Sequence, residues 1–420
     1  ANLTTLSYDH RYFVDGSLTA GDAFIGSTWN TYLVGALGRG GRSVFAIDVT
    51  DTSYTAGDIK WEFTHQNMGY TYGKPIVARL ADNKWYAIVP NGLDSNQDKA
   101  SVFVINLANP LDYHELTTTV GSPAVPNGMM VTQVRVNSTR TVTDIYAGDM
   151  RGNLWKFDVY NEGTGNVQWP SGSLLFTAGD GTTGTPQSIT GGIRVGKHPG
   201  GYGSLIYFGT GKYFETQDNV YSTSTSVPKI NSFYAVLDNG SSTGLDRSDL
   251  HVQSFSMSGT DKRISTQIPV PYTGAGSKKG WYIDLLEGAT KNGERVVSTP
   301  VLYGGRVIFV SIIPLSGGTC GGEGKSWLNE LDALDGSMLQ EKVLDTNGDG
   351  KIDAGDVKVS SMQIEGLASD PSIITGQDRD YKVIGSTSTG KSVQVVSETQ
   401  PPADGALAGG KGRMSWKQLQ

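Results

Sequence analysis

A twelve-residue segment, DTNGDGKIDAGD, places oxygen-bearing side chains at alternating positions around a glycine. Calcium takes about six to eight oxygen ligands, and an EF-hand loop supplies them from its positions 1, 3, 5, 7, 9 and 12. In this segment those positions hold Asp345, Asn347, Asp349, the backbone carbonyl of Lys351, Asp353 and Asp356. The residue types and their spacing therefore predict a calcium-binding loop.

Three other positions of the segment bear on this prediction. Gly350 falls at position 6, where the chain must turn with a backbone conformation that other residues resist. Ile352 at position 8 predicts an inward-facing apolar anchor. An EF-hand usually has Glu at position 12, so the shorter Asp356 either binds directly, as in dockerin-type repeats, or leaves a place for water. The competing interpretation is a polar surface turn, because Asp, Asn and Gly favour turns without any metal.

The residues that follow the loop do not predict the helix of an EF-hand. The segment VSSMQIEGLASDPSII contains β-branched residues, a glycine and Pro371, and has no sustained helical period. We therefore predict that residues 340–360 form a calcium-binding loop inserted in a β-sheet protein. Such a loop orders a local segment, because it has no helix pair to open.

A strand, a Gly-rich turn and a second strand recur along the chain, as in YLVGALGRGGRSVFAIDV from Tyr32 and IYAGDMRGNLWKFDV from Ile145. The second strands are VFAIDV, VFVINL, LWKFDV, FYAVLD, WYIDLL, WLNELDAL and SVQVV. Segments such as KPIVARL, SPAVP and STPVLYGGRVIFV predict the innermost strand before each hairpin. This period predicts an all-β fold, a modified propeller of seven blades with long insertions, as one domain over residues 1–420. The calcium loop would lie between the sixth and seventh blades.

Composition limits the classes of function. The chain has 420 residues, of which 37% are hydrophobic, and a formal net charge of -7 without a basic stripe, which argues against nucleic acid as a partner. No apolar run approaches the roughly 18 residues of a transmembrane segment. Because Ala1 follows neither an initiator Met nor a signal segment, we expect a domain from a longer protein. Cys320 is the only cysteine, so no intrachain disulfide can form.

No motif for catalysis is convincing. GSTSTGKS, which begins at Gly385, matches the phosphate-binding loop pattern, but VQVVSETQPP after it is β-prone, so we predict the tip of a hairpin in the last blade. The five histidines lack zinc-ligand spacing, and there is no Gly-x-Ser-x-Gly pentapeptide. We therefore expect no catalytic residues, no enzyme activity and no cofactor other than calcium.

Several segments in order along the chain resemble one family. They are YDHRYFVDGS, YLVGALGRGGRSVFAIDVTD, YAGDMRGNLWKFD, CGGEGKSWLNELDALDG and GRMSWKQL. They are similar to the C-terminal propeller of the type IV pilus tip-associated adhesin and biogenesis factors (PilY/PilC). The resemblance implies a long secreted protein of the cell surface that passes through the periplasm and the outer membrane. It also implies that the propeller supports pilus biogenesis and binds calcium through Asp345, Asn347, Asp349, the Lys351 carbonyl and Asp353, with Asp356 as a further ligand.

The same resemblance implies the partners: minor pilins and other tip components of the type IV pilus, and host or abiotic surfaces for the full-length protein. Calcium would favour pilus extension over retraction, and with it twitching motility and surface attachment. Two alternatives remain. The GDMRGNLWKFDV repeat also resembles the quinone-dependent, calcium-containing propeller dehydrogenases, although those enzymes carry a vicinal cysteine pair that a single cysteine cannot provide. A lectin-like adhesin module would instead use aromatic side chains in exposed loops.

Overall fold

The computed structural model describes residues 11–53, 55–118, 126–181, 185–215, 218, 230–315, 324–375, 380–386 and 393–398. The chain divides into two compact units. The first comprises the described residues up to Asp149 and those of Lys156–Ser173; the second comprises Met150–Trp155 and the described residues from Leu174 onward. The prediction of one domain over residues 1–420 stays a prediction, and each unit is described by itself.

Two four-stranded antiparallel sheets lie in the first unit. The first sheet has the order β1 (Leu18–Ile25), β2 (Thr28–Ala36), β3 (Ser43–Asp48) and β4 (Ile59–Thr64). The second has the order β5 (Ile76–Arg79), β6 (Trp85–Pro90), β7 (Ser101–Asn106) and β8 (Tyr113–Thr117). A two-residue turn joins β1 to β2, and both of its residues, Gly26 and Ser27, have positive φ (63° and 76°). This backbone twist matches that of the paired strands, so the turn fixes their register.

A third sheet contains β9 (Met129–Val136), β10 (Val142–Asp149), β11 (Asn153–Asp158) and β14 (Ser173–Thr177), in the order β14-β11-β10-β9. Between β11 and β14 the chain forms a small ribbon of β12 (Tyr160–Asn161) and β13 (Asn166–Val167).

The second unit has larger sheets. One contains β15 (Arg194–Lys197), β16 (Ser204–Gly209), β17 (Ser232–Asp238), β18 (His251–Gln253) and β21 (Gly280–Asp284), in the order β15-β16-β17-β21-β18. The next contains β19 (Phe255–Met257), β20 (Lys262–Ser265), β22 (Val301–Tyr303), β23 (Arg306–Pro314), β24 (Gly324–Asp332) and β25 (Ser361–Glu365), in the order β19-β20-β25-β24-β23-β22. The last has β26 (Ser372–Thr375), β27 (Asp380–Gly385) and β28 (Val393–Glu398).

The core of each unit consists of apolar side chains that project from the faces of its sheets. In the first unit, Trp61 and Phe63 from β4 pack in one cluster with Phe103 and Ile105 from β7. In the second, the rings of Phe233 and Phe309 stack with centroids 3.9 Å apart. Strands buried on both faces, such as β7 and β17, are apolar along most of their length, as expected for sheets covered on both sides.

The predicted second strands of the repeats all lie on strands: β3, β7, β11, β17, β21, β24 and β28. The predicted innermost strands in KPIVARL and STPVLYGGRVIFV are β5 and β22, whereas most of SPAVP lies outside the described residues. However, β17 and β21 pair with each other, with Tyr234 opposite Tyr282. Assigning FYAVLD and WYIDLL to separate blades is therefore wrong, and the count of seven blades is not confirmed.

The hairpin predicted around GSTSTGKS is confirmed, because Gly385 at the end of β27 pairs with Val393 at the start of β28. The strand nature of β28 also confirms that no helix follows this motif. Residues 387–392 of the motif, Cys320 and the closing GRMSWKQL lie outside the described residues. In the described part of the chain, no helix has the length and apolar character needed to cross a membrane.

Candidate metal centre

The predicted calcium loop connects β24 to β25, and these strands are neighbours in one sheet, with Lys325 opposite Glu365. Placing the loop between two blades is therefore wrong; it is inserted within a sheet. The residues at its ends are buried in the apolar cluster of that sheet: Val343, Leu344 and Val359 pack with Ile308, Val310 and Leu328. Both ends of the loop are thus fixed to the sheet.

The first predicted ligand, Asp345, is buried, with 5% of its surface exposed. Its Oδ1 accepts hydrogen bonds from the backbone N–H groups of Gly348 (2.7 Å) and Asp349 (3.2 Å). Its Oδ2 accepts a third, from Gly350 N–H at 2.7 Å. Gly348 and Gly350 have φ of 76° and 83°, so the left-handed turn predicted at position 6 is present. Asp345 therefore holds the first half of the loop in its turn.

The last predicted ligand, Asp356, is also buried and joins the two halves of the loop. Its Oδ1 accepts from the N–H of Thr346 (2.6 Å) and the N–H of Asn347 (3.3 Å). Its Oδ2 accepts from Asp353 N–H at 2.8 Å. Burial acts to raise the pKa of Asp356, but these hydrogen bonds outweigh it and lower the pKa below its ordinary value. The carboxylate is therefore held in its charged form.

The side chains of Asn347, Asp349 and Asp353 are exposed. Their contacts are local: Asp349 Oδ1 accepts from Lys351 N–H at 2.9 Å, and Asp353 Oδ1 accepts from Gly355 N–H at 2.7 Å. Asn347 Nδ2 donates to Asp349 Oδ2 at 3.3 Å. Because each of these bonds is solvent-accessible, little free energy opposes reorientation of the side chains toward a cation.

Two residues that the sequence did not indicate as important also shape the loop. Thr346 Oγ1 accepts from Val357 N–H at 2.8 Å, so it closes the base of the loop. Lys342 Nζ donates to the carbonyls of Asp353 (3.1 Å) and Ala354 (3.0 Å). Nothing in the sequence pairs Thr346 with the N–H of Val357, eleven residues on, or Lys342 with carbonyls eleven and twelve residues on.

The donor chemistry of the loop fits calcium, because it offers carboxylate, amide and carbonyl oxygens and no sulfur or imidazole ligand. Within the ranges that the structure describes, no three His, Cys, Asp or Glu side chains are arranged to hold a metal ion. The carboxylates of Asp345 and Asp356 instead bind backbone amides. The six ligands therefore stay a prediction, and calcium binding would require the exposed oxygens to turn inward.

Comparisons with known proteins define the fold and the family. Residues 3–248 match the family model described as the PilY1 beta-propeller domain. The crystal structure of the Pseudomonas aeruginosa PilY1 C-terminal domain superposes with a TM-score of 0.75 at 28% identity, over 91% of this chain and 83% of that chain. The fold is thus an all-β propeller. The chain belongs to the PilY1 β-propeller family, which confirms the family resemblance of the sequence motifs.

Two relatives are similar over most of this chain. A type IV pilus biogenesis factor PilY1 homolog of Xylella fastidiosa is 31% identical over 466 residues, covering 100% of this chain and 30% of that protein. The type IV pilus biogenesis factor PilY1 of Pseudomonas aeruginosa strain PAO1 is 31% identical over 406 residues, covering 85% of this chain and 34% of that protein. The chain thus spans about a third of the length of these relatives.

Proposed function

We propose that this chain is the calcium-binding, non-enzymatic propeller of a type IV pilus biogenesis factor. Its membership of the PilY1 β-propeller family and the names of its relatives support the pilus role. The observation that carries the calcium assignment is the loop itself, in which Asp345 and Asp356 already hold the backbone around the turn at Gly350. The other four predicted ligands, Asn347, Asp349, the Lys351 carbonyl and Asp353, belong to exposed residues.

In this proposal the two buried carboxylates shape the loop and the exposed ligands complete the metal site. Calcium would offset the mutual repulsion of four carboxylates, which are clustered within twelve residues. Because both ends of the loop are anchored in a buried cluster, the ion would order a surface segment and leave the sheet unchanged. A calcium-dependent surface is what a partner can recognise.

The finer parts of the function belong to the same proposal. The full-length protein is secreted and associated with the pilus at the cell surface, and this domain contacts minor pilins or other tip components. Calcium occupancy of the loop favours extension of the pilus over its retraction, and so controls twitching motility and surface attachment. The resemblance to the PilY/PilC family supports these assignments.

The test replaces the chromosomal copy with the Asp353→Ala variant in the bacterium that encodes this protein. Asp353 suits the purpose because it is exposed and its side chain makes a single local contact, so its loss leaves the loop folded. Lys351→Ala is the matched control, since it changes the same loop but keeps the carbonyl ligand. We expect fewer surface pili in Asp353→Ala, normal piliation in Lys351→Ala, and recovery of pili in Asp353→Ala when retraction is disabled.

Calorimetric titration of the purified chain with calcium separates the two halves of the proposal. Weaker calcium binding by Asp353→Ala together with normal piliation would refute the link between calcium and the pilus. Equal calcium affinity in the variant and the wild type would refute the ligand assignment itself.

A further inference from the structure

A cavity of about 530 Å³, widely open to solvent, lies in the first unit and belongs to no site described above. Three connections form it: the one between β2 and β3, the one that follows β4, and the one between β6 and β7. The lining residues are Arg42, Thr64, His65, Gln66, Met68 and Asn96. This set combines one permanent cation with several neutral polar groups and a single buried apolar side chain.

The backbone around the cavity is fixed before any ligand arrives. Tyr70 N–H donates to the carbonyl of Leu93 at 2.6 Å, and Leu93 N–H donates back to the carbonyl of Tyr70 at 3.2 Å. Gly92 permits this approach, because a Cβ there would lie 1.9 Å from the Tyr70 carbonyl oxygen. Beyond this pairing, Asp94 and Asp98 have φ of 56° and 49°, which is uncommon for residues other than glycine.

Arg42 is the charged group of the cavity. Its Nη1 donates to Asn96 Oδ1 at 3.3 Å, and its Cζ lies 5.2 Å from the centroid of the Tyr70 ring. Within the described ranges, no carboxylate forms an ion pair with this guanidinium. A guanidinium has five N–H donors in a planar fork that fits a carboxylate through two parallel bonds. Most of those donors are free of protein partners in the described structure, so Arg42 is prepared to bind an anion.

The neighbouring polar side chains are oriented by the protein. His65 Nδ1 accepts the N–H of Asn67 at 3.2 Å, and the centroids of the His65 and Phe103 rings are 5.3 Å apart. This bond leaves Nε2 of His65 as a donor. Gln66 and Asn96 add side-chain amides, each able to donate and accept. Met68 also lines the cavity but is buried, with 1% of its surface exposed.

We propose that this cavity binds a carboxylate-bearing sugar, a uronate residue of an acidic polysaccharide. Arg42 binds the carboxylate. The amides of Gln66 and Asn96 bind ring hydroxyls, because a side-chain amide can both donate a hydrogen bond to a hydroxyl and accept one from it. The volume is within the usual range for small-ligand sites. An acidic peptide is the disfavoured ligand, since a single cation among neutral amides gives it few of the charge contacts it needs.

The probe is digalacturonic acid, with uncharged digalactose as its neutral counterpart. Binding is measured on the full chain by saturation-transfer NMR and calorimetry, in excess EGTA so that calcium binding by the uronate plays no part. Arg42→Met removes the anion contact. Arg79→Met is the matched control, because the Arg79 guanidinium donates to the Thr139 carbonyl at 2.6 Å in the same unit and does not line the cavity.

We expect digalacturonic acid to bind the wild type at least tenfold more tightly than digalactose, because only the acid can form the charge-assisted bonds. Arg42→Met should weaken binding at least tenfold, and Arg79→Met should leave it unchanged. If Arg42→Met does not fold by circular dichroism, Asn96→Ala at the exposed rim is used, with an expected loss of about threefold from one hydrogen bond. The absence of saturation transfer at 10 mM digalacturonic acid would overturn the proposal. Affinities of the Arg42 and Asn96 variants that equal the wild-type affinity would overturn it as well. An Arg42-dependent interaction with a Glu-rich peptide and none with the acid would overturn the sugar assignment.

Discussion

We predict that calcium stabilises the folded chain and that this effect depends on the proposed ligand Asp353. Asp353→Ala removes one proposed ligand and one exposed hydrogen bond, from Gly355 N–H at 2.7 Å. Without calcium, the free energy of unfolding should therefore change by about 0.5 kcal/mol. Asp345 is unsuitable for the same purpose, since its carboxylate accepts three backbone bonds and its loss would disturb the loop with or without the ion.

The expected stabilisation of the folded chain by calcium follows from mass action. Extracellular calcium modules bind with a dissociation constant of about 10⁻⁴ M, so about 10 mM calcium corresponds to roughly a hundredfold excess and stabilises the folded chain by about 2.7 kcal/mol. If loss of Asp353 weakens binding about a hundredfold, the gain falls to about 0.4 kcal/mol. Lys351→Ala, which keeps its carbonyl, should retain the full gain. The stabilisation by calcium is then about 2.3 kcal/mol larger in the wild type than in Asp353→Ala.

The assay combines urea denaturation with hydrogen exchange, each in EGTA and in calcium. Because the chain has two compact units, the exchange rates of loop amides report the local effect directly. We expect calcium to slow exchange at Gly348 and Gly350 in the wild type and in Lys351→Ala, but not in Asp353→Ala. The same calcium-induced stabilisation in all three proteins would show that the ion binds elsewhere and would refute the assignment of this loop.

The remaining predictions concern the backbone turn, a titrating carboxyl and a buried ion pair. Gly350→Ala should cost about 1 kcal/mol in EGTA, since φ is 83° but no atom lies within 4 Å of the added Cβ; calcium affinity by calorimetry should fall as well. Burial, with the nearby charge of Asp335, raises the pKa of Asp332 to about 6. The folded state thus binds this proton more tightly than the unfolded chain. The contribution of Asp332 to the free energy of unfolding is therefore complete below about pH 4 and is lost as the pH rises through 6. Urea denaturation at pH 4 to 7 should show that Asp332→Asn removes up to about 3 kcal/mol of this decrease. Glu294→Ala should destabilise by about 3 to 5 kcal/mol in urea denaturation, because it leaves the fully buried Arg263 without its carboxylate at 2.9 Å; a loss under 1 kcal/mol would contradict this.

Most features of the candidate metal site could be predicted from the sequence, because they are local. Ligands at alternating positions, glycine at the turn and an Asp at each end are all properties of twelve consecutive residues. The structure confirms the left-handed conformation of Gly350. It also gives Asp345 and Asp356 a role that spacing alone does not reveal, as buried acceptors of backbone amides. Burial depends on the sheet beneath the loop, which the local sequence does not specify.

The strands were also predictable, because alternation of apolar residues and glycine turns marks each strand where it occurs. The pairing partner of each strand could not be predicted in this way. Two segments with the same pattern, at Tyr234 and Tyr282, pair within one sheet, and β18 joins that sheet parallel to β21. A period of two residues fixes which side chains face the core but says nothing about which distant strand lies alongside.

The sequence by itself determined the all-β class and the family, and it predicted a calcium loop, since each rests on short segments with their own turns and side chains. Tertiary structure alone decided that the loop is inserted within a sheet, between paired strands β24 and β25. It also brought Arg42, His65 and Asn96 to one cavity from three separate connections. Side chains far apart in the chain meet only after backbone pairing fixes the register, so a site of this kind has no local signature in the sequence.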